Sequence, residues 1–163
     1  MDILTKGVEN VLPNREGLEK LIGAKKIRVY LGIDPTGTRL HLGHTIPLRK
    51  LNEFASAGHE AILVVGTATV LAGDPSQRKE ARKKITKKEI DENIKNWKEQ
   101  AGKVLDLSKV ELKYNGDWLL KLDLVSLIEI ASNISAIQLF KRDMFQKRIE
   151  AGGTVLTHEL LYP

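Results

Sequence analysis

Two apolar runs with a helical stretch between them constrain this chain more than any other feature. Residues 27–33 carry Ile27, Val29, Tyr30, Leu31 and Ile33 and read as a buried strand. Residues 61–66 form a second, nearly unbroken apolar run, suited to a parallel sheet covered on both faces. Between them Ile46, Leu48, Leu51 and Phe54 recur at helical spacing, which predicts a helix over 45–56 stopped by Ala57-Gly58-His59. Strand, helix, strand is a βαβ unit, right-handed by default. The expected fold is α/β, a Rossmann-like parallel sheet with flanking helices. Its ligand site is expected in the crevice at the C-terminal strand ends.

The corner between the first strand and the helix is unusual in its chemistry. Asp34-Pro35-Thr36-Gly37 is a turn signal, since proline fixes φ and glycine tolerates positive φ. Then His41-Leu42-Gly43-His44 places two imidazoles and a glycine where a helix begins. A helix start presents unpaired N–H groups and the positive end of the dipole, which together favour phosphate. Glycine lets a ligand approach the backbone closely. Zinc is disfavoured, because no further ligand stands at suitable spacing from Asp34, His41 and His44.

The whole chain of 163 residues reads as one ordinary globular domain. It has no cysteine, hence no disulfide, which fits a reducing compartment. No apolar segment reaches membrane-spanning length. A net charge of +5 permits a polyanionic partner without demanding one. Asn14 is placed to cap a short helix bearing Leu18, Leu21 and Ile22 and stopped by Gly23. His59 carries no partner pattern and reads as a loop histidine. Thr86-x-x-Glu89 is a capping box opening a helix with Ile90, Ile94, Trp97, Ala101 and Val104 on one stripe. Val110, Leu112 and Tyr114 alternate as a third strand. Helices are expected over 123–132 and 135–149, each with an N-cap at its first residue, Asp123 and Ser135, and the start of another over 157–162.

Several side chains carry two readings at this point. Tyr30 is either a core aromatic or a ligand contact. Asp74, in Gly73-Asp74-Pro75-Ser76, is either a cap or a carboxylate for a cation. The basic run over 77–88 is either a solvated face or a polyanion site. Asn115 is either a turn residue or a pocket residue.

The string from Tyr30 through Asp34-Pro35-Thr36 to His41-Leu42-Gly43-His44, with Gly66-x-x-Thr69-x-x-x-Gly73-Asp74-Pro75-Ser76 downstream, resembles the class I aminoacyl-tRNA synthetases, specifically the tyrosyl-tRNA synthetases. The resemblance runs from about Glu16 onward. It implies tyrosine activation by ATP and transfer of the tyrosyl group to tRNA(Tyr). It assigns catalysis to Thr36, His41 and His44, and ATP binding to Gly32, Asp34 and Gly43. It assigns tyrosine binding to Tyr30, Thr69, Asp74, Asn115 and Tyr162, and contact with tRNA or pyrophosphate to Arg78 and Arg82. Mg2+ is expected only on the ATP phosphates, with no protein-bound metal. A homodimer through the helical insertion (Ile137, Leu139, Phe140, Met144 and Phe145), cytoplasmic localisation and no membrane contact are likewise implied.

By the same resemblance the chain divides into a first βαβ half over 26–76, a third strand with helical insertion over 77–150, and the start of a truncated helix over 151–163. Such enzymes continue into further pocket residues, two more strands, a Lys-Met-Ser-Lys-Ser-type loop and an anticodon region. The expectation is therefore an amino-terminal part, nearly inactive and poorly soluble alone, with β-edge exposure at its first strand. Competing expectations are a small adenylyltransferase using the same corner and a non-catalytic module binding tRNA or a partner protein.

Overall fold

A computed structural model describes residues 3–72 and 86–161. In chain order the elements are α1 (Arg15–Ala24), β1 (Arg28–Ile33), α2 (Leu42–Ser56), β2 (Glu60–Val65), α3 (Thr69–Ala72), α4 (Lys87–Ala101), β3 (Val110–Tyr114), α5 (Gly116–Leu119), α6 (Leu124–Ser132), α7 (Ala136–Phe140) and α8 (Asp143–Glu150), then a 3-10 helix, Thr157–Leu161. They fall into two compact units. One draws on Met1–Val65 and Asp91–Lys113, the other on Gly66–Ile90 and Tyr114–Pro163.

The first unit holds the α/β core. Its sheet runs in the order β1-β2-β3, and β1 pairs with β2 in parallel, Arg28 opposite Glu60 through Ile33 opposite Val65. Leu48, Leu51 and Ala55 of α2 pack with Ala61 and Leu63 of β2 and with Ala101, Leu105 and Val110. Val29, Leu31 and Ile33 close against this cluster from β1. Burial of this apolar surface is the main stabilising term of the unit.

β1 departs from the expectation of a buried strand. Its residues alternate, with Arg28, Tyr30 and Gly32 exposed and Val29, Leu31 and Ile33 half-buried. One face of β1 packs on the core cluster while the face carrying Tyr30 is left exposed, and β2 is the strand buried on both faces. Tyr30 is 73% exposed, so the core-aromatic alternative falls. Two smaller readings also change: Gly23 lies inside α1 and does not stop it, and the helix expected to carry Val104 ends at Ala101. His59 lies in a loop as expected, and its Nδ1 accepts the Ile27 N–H at 3.4 Å.

Three of the caps expected from the sequence are present, while Ser135 stands at the N-cap of α7 without a side-chain cap bond. Asn14 Oδ1 accepts the Gly17 N–H at 2.8 Å, and Asp123 Oδ1 accepts the Ser126 N–H at 2.8 Å. Thr86 and Glu89 bond reciprocally, with Glu89 Oε2 accepting the Thr86 N–H at 2.8 Å and Thr86 Oγ1 accepting the Glu89 N–H at 3.3 Å. The expected single helix over 135–149 is instead two, α7 and α8. Arg142 is extended (φ −66°, ψ 136°) between them, and Gln146 Nε2 donates to the Phe140 carbonyl at 2.7 Å across the break. The break is compatible with Phe145 being fully buried while Ile137 stays exposed.

In the second unit Arg148 of α8 and Glu159 form a buried ion pair at 2.6 Å, their side chains 5% and 4% exposed. Glu159 Oε2 also accepts the Leu156 N–H at 2.8 Å. Burial pushes the Glu159 carboxyl up, but the Leu156 N–H and Arg148 outweigh it and hold it below its ordinary range. No helix among the described residues is long and apolar enough to cross a membrane.

Candidate functional site

The first unit brings seven of the sequence-predicted residues together along one strand and one corner. Tyr30 and Gly32 share the exposed face of β1, because side chains alternate with a period of two. A Cβ added at Gly32 would meet nothing within 4 Å, so that face is open at the strand's C-terminal end. Beyond it Asp34 is half-buried, Pro35 is fully buried, and Thr36 to Arg39 are exposed. The Thr36 N–H donates to the Asp34 carbonyl at 2.8 Å, which makes the turn tight.

Helix α2 begins earlier than its apolar period suggested, at Leu42, and His41 is its N-cap. His41 Nδ1 accepts the Gly43 N–H at 3.1 Å. His44 Nδ1 accepts the His41 N–H at 3.1 Å in return. The two rings lie 3.9 Å apart between centroids. This is a capping box built from two imidazoles, with two orphan donors satisfied reciprocally. Imidazole is not among the usual capping side chains, which is why spacing alone did not find the helix start.

The cap fixes the chemistry of both rings. A nitrogen that accepts an N–H carries no proton, so each neutral imidazole bears its proton on Nε2. The corner thus offers two ring N–H donors at the positive end of a helix. Burial, then repulsion from His41, holds His44 below the ordinary histidine range. His44 is therefore neutral at neutral pH. Gly43 has a reason within the chain itself: a Cβ there would stand 2.9 Å from His41 Cε1, so any larger residue disturbs the capping ring.

The second unit holds two further predicted residues, Thr69 and Asn115. Asn115 is buried; its Oδ1 accepts the Ala68 N–H at 2.8 Å and its Nδ2 donates to Thr69 Oγ1 at 2.9 Å. Thr67 Oγ1 accepts the Gly116 N–H at 2.8 Å, and a Cβ at Gly116 would collide with that oxygen at 2.6 Å. Asn115 therefore shapes the 67–69 turn whatever else it touches. Asp74, Arg78, Arg82 and Tyr162 lie outside the described residues.

Sequence reasoning missed three polar side chains of α4, Asn93, Trp97 and Gln100, which bond to the 35–40 loop. Their spacing of four and three residues on one helix face, beside a predicted apolar stripe, was the available signal. An apolar cavity of about 20 Å³ beside Leu40, Leu48, Leu63 and Trp97 is too small and too apolar to serve as the ligand site.

The chain is similar to known proteins over most of its length. Residues 23–163 match the family model described as tRNA synthetases class I (W and Y). The chain is 40% identical to the tyrosine–tRNA ligase of Carboxydothermus hydrogenoformans, over 100% of this chain and 41% of that protein. It is 41% identical to the tyrosine–tRNA ligase of Thermotoga maritima, over 99% of this chain and 40% of that protein. A C-terminally truncated mitochondrial tyrosyl-tRNA synthetase from Coccidioides posadasii has a similar structure, with a TM-score of 0.82 at 25% identity, over 99% of this chain and 47% of the other. The chain thus spans about two fifths of the length of the curated relatives it matches. With its histidine-capped corner and a family match over most of its residues, the chain belongs to the class I tRNA synthetases of the tryptophan and tyrosine type.

Proposed function

We propose that the chain serves a tyrosine–tRNA ligase, contributing the corner that holds ATP during tyrosine activation. In the first step the tyrosine carboxylate oxygen attacks the α-phosphorus of ATP, the bond to the bridging β-phosphate oxygen breaks, and pyrophosphate leaves. In the second step the terminal ribose hydroxyl of tRNA(Tyr) attacks the tyrosyl carbonyl and AMP leaves. Neither step needs a covalent protein intermediate, so alignment and charge stabilisation carry the rate.

The observation that carries this reading is the reciprocal His41–His44 cap, which fixes both imidazoles as Nε2–H donors. His41 and Thr36 are assigned to the departing phosphates as charge builds there, and His44 to the ribose end of the nucleotide. Gly32 and Gly43 are assigned to close approach of ATP, and Asp34 to the nucleotide and the tyrosine ammonium. The exposed Tyr30 hydroxyl is assigned to the substrate phenol, and Thr69, Asp74, Asn115 and Tyr162 to the rest of the tyrosine. Arg78 and Arg82 are assigned to pyrophosphate or tRNA. Mg2+ arrives on the ATP phosphates as part of the substrate. The setting of this reaction is the cytoplasm.

The organisation is read as a βαβ half over 26–76, a strand and helical insertion over 77–150, and a short final segment over 151–163. A second copy of the chain is proposed to cover the insertion. The support is that α6 buries no residue while Leu124, Val125 and Ile128 are exposed, as is Ile137 of α7.

The test is tyrosine-dependent ATP–pyrophosphate exchange. The chain is assayed alone and supplemented with the part of the Carboxydothermus hydrogenoformans relative that the match does not cover. Exchange in the supplemented sample that is lost on His41→Ala supports the assignment. Turnover with a small phosphorylated acceptor and none with tyrosine favours an adenylyltransferase instead.

A further inference from the structure

Helix α4 grips the loop between β1 and α2 at four backbone positions. Asn93 Nδ2 donates to the Pro35 carbonyl at 2.8 Å. Trp97 Nε1 donates to the Gly37 carbonyl at 2.8 Å. Gln100 Nε2 donates to the Thr38 carbonyl at 3.1 Å, while its Oε1 accepts the Leu40 N–H at 2.8 Å. Gln100 thus acts as a peptide group would beside a strand, engaging one donor and one acceptor of residues 38–40. The Trp97 ring also lies 5.9 Å from the His44 ring, centroid to centroid.

The chemistry of this ladder is specific. Three of the four contacts occupy carbonyl oxygens, the groups of a loop that repel an anion. All three side chains are neutral, so they satisfy those carbonyls without adding a charge that competes for phosphate. The loop itself has no regular structure between Ile33 and Leu42, and Thr36 to Arg39 are exposed. Without outside support such a segment samples many conformations, and its ordering cost falls on ligand binding.

We infer that Asn93, Trp97 and Gln100 are positioning residues for nucleotide binding: by tying back the carbonyls of Pro35, Gly37 and Thr38 they preorganise the 34–41 loop and, through Leu40, the His41–His44 cap. This rests on the nucleotide reading of the corner. The ladder stands on three residues of one helix at helical spacing, all directed to one loop, so it is a single device.

The test uses the whole chain with Gln100→Met, which keeps the side-chain length and removes both bonds, and with Trp97→Phe, which keeps an aromatic ring and removes one donor. Amide hydrogen exchange is read at Leu40 and at Leu63 of β2. Nitrogen chemical shifts of the His41 and His44 rings report the tautomers, and Mg–ATP affinity is measured by equilibrium dialysis. In Gln100→Met, exchange at Leu40 should accelerate roughly tenfold or more with Leu63 unchanged. The rings should lose their fixed Nε2–H pattern, and Mg–ATP should bind about tenfold more weakly. Trp97→Phe should show the same changes, smaller. A mere packing role predicts instead that Leu40 and Leu63 accelerate together with unchanged ring shifts, and that result overturns the inference, as does unchanged Leu40 exchange in both variants. If the unaltered chain binds no Mg–ATP, the nucleotide reading fails by itself, and exchange and ring shifts still decide whether the ladder holds the corner.

Discussion

The two units of this chain are held together by different means. The unit built on β1, β2 and α2 closes an apolar core, with Leu48 fully buried and Leu51, Ala55 and Leu63 nearly so. The unit containing residues 114–161 relies more on buried polar groups: the Arg148–Glu159 pair and the Asn115 carboxamide. It also turns apolar side chains outward. Helix α6 is more apolar than α2, yet α2 buries Leu48, Leu51, Phe54 and Ala55 while α6 buries nothing. An apolar stripe therefore states that a face will be covered, and the fold decides whether this chain does the covering.

The contrast can be broken most sharply at the ion pair. Arg148→Ala should cost about 3–5 kcal/mol, read by chemical denaturation, because it strands a buried carboxylate. Replacing both partners, Arg148→Met with Glu159→Leu, should recover most of that loss. If the single change costs under about 1 kcal/mol, the polar account of this unit is wrong. Leu48→Ala should cost roughly 2–5 kcal/mol by the same measurement, through lost burial and the cavity left behind.

Acid should separate the units. His44 is held below the ordinary histidine range, so the unfolded chain binds more protons than the folded one between the lowered value and about 6.5. Stability from this group is full above about pH 6.5 and is lost as pH falls through the lowered value. Glu159 is also lowered, from a carboxylate reference of about 4.3, so its contribution holds above that pH and fades only in stronger acid. Exchange protection at His41, whose N–H His44 Nδ1 accepts, should therefore fall at a milder pH than protection at Leu156, whose N–H Glu159 accepts. His44→Gln should flatten the milder step. Removal of the cap by His41→Ala should cost about 1–2 kcal/mol.

The smallest effect on folding is expected on α6. Ile128→Ser should leave the stability of the single chain within about 0.5 kcal/mol, since the side chain is exposed. The same change should shift the sedimentation equilibrium toward monomer if a second copy covers this face. An unchanged association state would remove α6 from the proposed interface.

How much of this was legible in the sequence depended on range. Local signals were sufficient where the partner lies within a turn: Asn14, Thr86 with Glu89, and Asp123 all cap as their residue types require. The strand pattern was legible, but the exposure of Tyr30 was not, because it depends on what packs over that face of the sheet. Trp97 read as one more apolar residue, although its N–H reaches Gly37, 60 residues away in sequence. Arg148 and Glu159, 11 residues apart, carried no local pattern that pairs them. The His-x-Gly-His string was plain as a motif; that its two rings cap the helix with each other was not, since imidazole caps are outside the usual vocabulary.

The nucleotide assignment of the corner is tested most directly by titrating Mg–ATP into the isotope-labelled chain and following backbone and imidazole nitrogen resonances. Saturable shifts at residues 36–44, with the Nε2–H signals of His41 and His44 moving together, are the predicted result. Shifts confined to other residues, or none at millimolar nucleotide, would contradict it.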